Sequence, residues 1–368
     1  MTTRVKKYFD IILNHMERSS TFYVWVSILV VVAGLALYAI LMSLIYSLEI
    51  FEFSIHVIWV TMVSNYVFLV VSSTGLCIVT SLGHVFGMQR YEQVAKRGVF
   101  LALVTIIFGM ISIGAHLGHP ERAMIFNLLT PNFYSAMWWM GALYTFYIVF
   151  IAIEFWLLAR DDLNERSEQS AGLGKNIYSL LAIKKLDKLP DTMLKNHKLL
   201  KSVGAAALIS GLSAHNTLGA LFGHVEARAL WHGSYYPIYF LLSASFCGYA
   251  WLLAVSIATY KIKKEGIPED YKSLIFEMAQ VLALLLGAGL LFTAYKMSFG
   301  LFTPEKVKPI LLFLKGPFSP AFWLFEIAIG TVLPIPILLV AAKQKNSWRA
   351  GRLDHGSPGR LCNAIQLW

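Results

Sequence analysis

The chain has 368 residues, of which 57% are hydrophobic and only 14% charged, with a formal net charge of +10. A soluble globular chain carries about a quarter charged residues, so this composition excludes an ordinary soluble domain. Apolar runs of about 20 residues recur, each long enough to cross a bilayer core of about 30 Å.

The charged stretch 1–21 precedes a run too long for a signal peptide's apolar core, and is read as a retained cytoplasmic N-terminus. Spans are expected at 22–48, 57–84, 95–117, 134–158, 200–222, 235–259, 272–297 and 319–342. If the N-terminus lies inside, the inside segments hold 25 of the 31 Lys and Arg. That asymmetry is the positive-inside signal, and it accounts for the positive charge without any nucleic-acid partner. Both termini are therefore expected in the cytoplasm. The charged loop 159–199 reads as a cytoplasmic connection with room for a surface amphipathic helix.

The chain repeats itself. Pro120-Glu121-Arg122 is matched by Pro304-Glu305-Lys306, Pro131 by Pro317 and Trp138 by Trp323. "YVFLVVSSTG" (Tyr66–Gly75) is matched by "YFLLSASFCG" (Tyr239–Gly248). Each unit holds an even number of spans, so both copies cross in the same direction. The expected architecture is all-α, with eight transmembrane helices in a tandem four-helix-bundle repeat. One extra helix (22–48) precedes a first bundle over 57–222. A second bundle over 235–342 lacks its last helix. The tail 343–368 has no apolar run and is not expected to span; a truncated or frame-shifted reading frame would explain it.

Cys77, Cys247 and Cys362 are scattered without a CxxC, so the chain itself is expected to hold neither an iron–sulfur cluster nor a c-type haem. His116, His119, His215, His224 and His232 fall at the outer edge, with His56 near it. Two readings stay open. They cap helix ends, or they form a proton-handling cluster, since imidazole titrates near neutrality. Glu121 with Arg122, and Glu226 with Arg228, pair with each other or lock the outer loops against a partner. Ionisable groups inside a bilayer are expensive and default to function. On that ground Asn65 is expected to face its bundle, Lys296 to pair with Glu326, and Glu154 and Glu277 either to reach the interface or to start a proton path.

"HLGHPERA", "ARALWHGSYYPIYFLLSA" and "FWLFEIAIGTVLPIPILL" resemble the NrfD-like, polysulfide-reductase-type membrane subunits over about residues 20 to 342. The ten-span members, of the hydrogenase, sulfite-reduction and alternative complex III type, are the nearest in flavour. Many members carry Asp-Leu-Gly-x-Pro after the third span; here His116 takes the Asp position. The resemblance implies a subunit in a prokaryotic cytoplasmic membrane that exchanges electrons with menaquinone or ubiquinone. Its implied partners are an iron–sulfur (ferredoxin-like) subunit and a molybdopterin, hydrogenase or multihaem cytochrome subunit. It also implies no metal or haem in this chain. The head group is expected near Asn65, His116, Arg122, His215 and Asn216, with His116 and His215 accepting protons. Two other readings remain: a secondary transporter built on the repeat, or a b-type haem anchor using His116 and His215.

Overall fold

The computed structural model describes residues 20–46, 61–117, 119, 122, 125, 127, 129–170, 173–182, 190–263 and 266–350. Ten α-helices and one π-helical segment are resolved there: α1 Ser20–Tyr46, α2 Thr61–His84, α3 Gln89–His116, α4 Ala136–Gln169, α5 Leu173–Ala182, α6 Pro190–Gly223, α7 Tyr235–Lys263, α8 Glu269–Gly300, α9 Pro304–Leu314, the π-segment Ala321–Val332 and α10 Pro334–Ala350. Among the described residues, eight helices are long and apolar enough to cross a membrane. The protein is an all-α polytopic membrane protein, as expected from the apolar runs.

Local chemistry explains the helix starts. Ser135 caps α4 by accepting from the Trp138 N–H at 3.3 Å. Glu269 and Asp270 lie in the first turn of α8, where carboxylates favour the positive end of the helix dipole. Pro304 opens α9, where its missing N–H costs nothing. Gly87 takes φ +76° in the turn joining α2 to α3, a conformation that glycine adopts freely.

Several helices outrun their apolar stretches. α4 continues to Gln169 and α6 begins at Pro190, so much of the expected loop 159–199 is helical. Hydropathy marks where lipid ends, whereas the helix continues on Arg160, Asp161, Asp162, Glu165 and Arg166 in water. The expected surface helix is α5, moored by the Trp156 indole to the Leu181 carbonyl (2.8 Å) and by Arg160 to Ala182 (3.3 Å). Asp162 also pairs with Lys96 on α3.

The chain divides into two compact units, Met1–Ser64 with Ile111–Met124, and Asn65–Met110 with Ile125–Trp368. In the first, α1 is exposed along most of its apolar length, Ser43 being buried, and Ser112 donates to the Met62 carbonyl at 3.1 Å. The second holds most of the core. There α4 packs on α6, α6 on α7, and α7 and α10 on α8. The matched passages of the repeat make equivalent contacts: the Trp138 indole donates to the Asn127 carbonyl (2.8 Å) and the Trp323 indole to the Leu314 carbonyl (3.2 Å).

α2 and α7 meet at the matched glycines. A Cβ on Gly75 would stand on the Ala244 carbonyl oxygen, and one on Gly248 would stand on the carbonyl of Gly75. Small residues let membrane helices approach this closely. Around the crossing, Ser72 donates to Phe68, accepts from the Trp251 indole at 2.9 Å and lies 3.3 Å from Cys247 Sγ.

Gly75→Ala and Gly248→Ala must push the helices apart, and each is expected to cost about 1–3 kcal/mol as an overpacked contact. Gly34, with open space around its Cβ position, is the control. Thermal unfolding of the detergent-solubilised protein checks this: the two crossing variants should melt lower and Gly34→Ala at the parent temperature.

Candidate functional site

α4 buries Tyr144, Tyr147, Ile151 and Glu154. Their spacing of three, four and three residues is a coiled-coil seam, and three of the four carry titratable groups. α2 presents a matching seam: Tyr66, Val70, Ser73, Cys77, Thr80 and His84, all buried. α6 closes the third side with Ala207, Gly211, Ala214 and Leu218 buried at the same spacing, and Gly204 begins the row. The interior of this bundle is a column of polar side chains where a packing seam normally holds leucine.

One end of the column is His215, fully buried. Its Nε2 lies 3.0 Å from the Phe240 carbonyl and its Nδ1 3.4 Å from the Tyr144 hydroxyl. A carbonyl only accepts, so Nε2 carries the proton in the neutral ring and Tyr144 donates to Nδ1. The middle is Tyr147, whose hydroxyl lies 2.9 Å from Ser73 Oγ and 3.1 Å from the Ser73 carbonyl. Ser73 in turn donates to the Ala102 carbonyl at 2.7 Å. Cys77 and Ser81 follow one another along α2, Sγ to Oγ 4.0 Å.

The other end pairs an imidazole with a carboxyl group. His84 Nε2 lies 2.7 Å from Glu154 Oε1, with side-chain exposures of 3% and 0%. The separation is that of a direct contact. Apart from that contact, the His84 ring nitrogens and the Glu154 oxygens have no hydrogen-bond partner. Two glycines make the room: a Cβ on Gly204 would come within 2.6 Å of His84 Nε2, and one on Gly211 within 2.9 Å of the Tyr147 ring.

The other residues singled out in the sequence are distributed differently. Asn65 is exposed rather than turned into the bundle, because the inward seam of α2 passes through its neighbour Tyr66; Asn216 is likewise exposed beside the buried His215. Glu277 pairs with Arg90 at 3.1 Å near the protein surface, not inward. Lys296 and Glu326 are close enough for their charges to interact, without a direct salt bridge between them. The Lys296 ammonium donates to the Tyr236 hydroxyl at 2.5 Å and lies 4.5 Å from that ring's centre, while Glu326 is exposed on the π-segment. His224 is exposed with Nδ1 2.7 Å from the Ala220 carbonyl of its own helix. His232 and Glu226 are exposed and Arg228 is half-buried; the His232 carbonyl accepts from Lys306 at 2.9 Å. His116 is half-buried at the end of α3, and His119 and Arg122 are exposed; these three belong to the other compact unit. Glu121 and His56 lie outside the described residues. Among the described residues no group of three His, Cys, Asp or Glu could hold a metal ion.

Sequence reasoning passed over His84, Tyr144 and Tyr147. The available signal was phase: Gly204 and Gly211 lie two turns apart on one face of α6, and the titratable residues of α4 share one seam. Edge-counting of histidines did not see it.

A family model described as "Polysulphide reductase, NrfD" matches residues 50–350. The chain is similar to a selenate reductase subunit of Mesobacillus selenatarsenatis, 29% identical over 77% of this chain and 66% of that protein. It is similar to a putative dimethyl sulfoxide reductase membrane subunit of Halobacterium salinarum, 28% identical over 54% of this chain and 43% of that protein. It is also similar to an Hdr-like menaquinol oxidoreductase integral membrane subunit of Archaeoglobus fulgidus, 22% identical over 88% of this chain and 71% of that protein. The chain thus spans just under two thirds of the length of the first relative and less than half of the second.

The two acid–base contacts separate cleanly by burial. Removing one partner of a buried pair strands the other and costs about 3–5 kcal/mol, against at most about 1 kcal/mol for an exposed pair. His84→Ala should therefore lower the unfolding midpoint strongly and Arg90→Ala barely. Equal, small shifts in a thermal-unfolding comparison would show that Glu154 is not stranded by the loss of His84.

Proposed function

The chain belongs to the NrfD polysulphide reductase family, and on that premise we propose that it is the quinone-reactive membrane subunit of a respiratory oxidoreductase complex. The observation that carries the reading is His215: an imidazole sealed inside a membrane bundle and hydrogen-bonded to Tyr144. It lies about 12 Å in from the end of α6, at 1.5 Å per residue. Titratable groups at such depth default to function. The name of the Archaeoglobus relative, a menaquinol oxidoreductase subunit, supports the same substrate class.

A quinol oxidised here gives up two electrons and two protons. The electrons pass to an iron–sulfur cluster in a ferredoxin-like partner, which hands them to a molybdopterin, hydrogenase or multihaem cytochrome subunit. His215 has no exposed edge, so its part is to take a proton through the Tyr144 hydroxyl, not to touch the head group. The exposed carboxamides of Asn65 and Asn216 stand where a head group arrives from lipid. His116 and Arg122 belong together to the other unit, which offers an imidazole and a fixed positive charge of its own. The exposed loop residues His119, His224, Glu226 and His232, with half-buried Arg228, face a partner. The end of the bundle rich in Lys and Arg faces the cytoplasm of a prokaryotic cell.

The test is quinol oxidation by the native complex, isolated with its partner subunits and assayed with soluble menaquinol and ubiquinol analogues. General acid–base roles are worth about 10²–10⁴ in rate. His215→Ala and His116→Ala should therefore each fall by about a hundredfold in a complex that still assembles, while His224→Ala keeps parental turnover. A native complex that oxidises neither quinol overturns the reading. A His215→Ala complex with parental turnover removes His215 from it.

A further inference from the structure

We propose that the shoulder where α5 leans on α4 and α6 enters the bilayer is a binding site for an anionic phospholipid of the adjoining leaflet. The inference is independent of the quinone reading.

The first observation is which side of α5 is covered. At about 100° per residue, Ile177, Leu180 and Leu181 share one side of this helix and Tyr178 and Ala182 another. The second side meets α4: Ala182 is buried and Tyr178 half-buried. The apolar side is turned away from the protein, with Ile177, Leu180 and Leu181 53%, 77% and 50% exposed. A surface helix in water turns its apolar stripe inward. One that turns it outward beside a bilayer buries it in the boundary of the acyl chains.

The second is depth. α5 doubles back along α4. Ser167 donates to the Lys175 carbonyl at 3.5 Å, Arg160 to the Ala182 carbonyl at 3.3 Å and the Trp156 indole to the Leu181 carbonyl at 2.8 Å. The last turn of α5 therefore returns to the level of Trp156 and Arg160, where the apolar stretch of α4 ends. Tryptophan favours that level because its ring is apolar and its N–H is not.

The third is charge at the same level. α6 faces α4 with Gly204 against the His84–Glu154 pair. At 1.5 Å per residue, Lys201 stands about 4.5 Å and Lys198 about 9 Å further out, the levels of Leu157 and Arg160 on α4. Both lysines are exposed and lie one turn apart on one side of α6. The Arg160 guanidinium lies 5.1 Å from the centre of the Trp156 ring. The acidic residues here are placed apart. Asp162 pairs with Lys96 and Glu165 accepts from Gln169. Both, with Asp161 and Glu168, lie off the line of Trp156, Arg160 and Ser167 that receives α5.

Three cations and an outward apolar ridge thus share the depth at which a phospholipid passes from phosphate to acyl chain. An anionic head group meets Lys198, Lys201 and Arg160 while its chains lie along Leu180 and Leu181. A zwitterionic lipid offers the same chains, but its own cation opposes the lysines. Each basic residue near an anionic membrane surface is worth about fivefold in affinity.

Two measurements test this. In the first, the detergent-solubilised chain is titrated with phosphatidylglycerol or phosphatidylcholine of identical acyl chains, and native mass spectrometry counts the bound lipid. The parent should retain phosphatidylglycerol at least about tenfold better. The double variant Lys198→Gln/Lys201→Gln should lose most of that preference while melting at the parent temperature in lipid-free detergent, and Lys308→Gln should keep it. Equal retention of the two lipids by the parent, or an unchanged preference in the double variant, overturns the proposal. In the second, the native complex sits in nanodiscs whose lipids are brominated high on the acyl chains, with bimane on Leu180→Cys and the signal of the labelled parent subtracted. The label at 180 should be quenched and one on Glu165→Cys should not. An unquenched label at 180 means that water or a partner protein covers α5, and overturns the lipid site.

Discussion

The contact between His84 and Glu154 sets the terms for the rest of the bundle. A carboxylate with no exposed surface, facing an imidazole across 2.7 Å, is tolerated in a membrane only if its partner is held in place from every side. The imidazole is held by the absence of a side chain at Gly204, which lets α6 close over it. Gly211 does the same for Tyr147 two turns further on. The helix spacing of this bundle follows from the polar residues it must enclose, rather than from leucines seeking each other. In lipid that is reasonable, since hydrocarbon surrounds the bundle on the outside and apolar burial offers little driving force between helices.

The two matched halves of the sequence differ along this line. They share the Trp anchors and the glycine crossing, and α2 meets α7 where their matched glycines coincide. Inside, they differ. The buried face of α8 carries Leu274, Met278, Leu282 and Leu286, an apolar run with Tyr271 at one end and Thr293 at the other. Two ionisable groups of the second half sit elsewhere: Lys296 against the Tyr235 and Tyr236 rings, and Glu326 exposed on a π-helical stretch. Pi-type turns occur mostly as short insertions at functional sites. Here the wide register runs from Ala321 to Val332 and ends where Pro334 begins. The Thr331 hydroxyl donates back five residues to the Glu326 carbonyl at 3.0 Å. The matched passages thus frame two different interiors: His84, Tyr144, Tyr147 and Glu154 in the first half, and Tyr249 and Tyr271 on α7 and α8 in the second.

Hydropathy alone made the eight spans legible, and the matched tryptophans and glycines announced the repeat. What hydropathy cannot register is rotation about the helix axis. Asn65 and Tyr66 are neighbours at the same depth, yet one faces outward and the other is sealed. His215 and Asn216 split the same way. The rule that polar residues in a membrane turn inward is sound on average, but near a helix end it competes with the interface, where an amide costs little. Seam spacing resolves the ambiguity. Positions 144, 147, 151 and 154 share one face, as do 66, 70, 73, 77 and 84, and 204, 207, 211, 214 and 218. Read by phase rather than by depth, the sequence places Glu154 and Tyr147 inside and leaves Asn65 outside. Glu277 and Glu154 show the limit of depth as a guide. Both lie toward the same end of the bundle, and only the one on a seam is buried. The other found Arg90 at the surface, where water carries most of the cost of its charge and the pair is worth little. A buried carboxylate has no such recourse: its charge must be met by a fixed partner or by a proton, and the structure gives Glu154 the means for either.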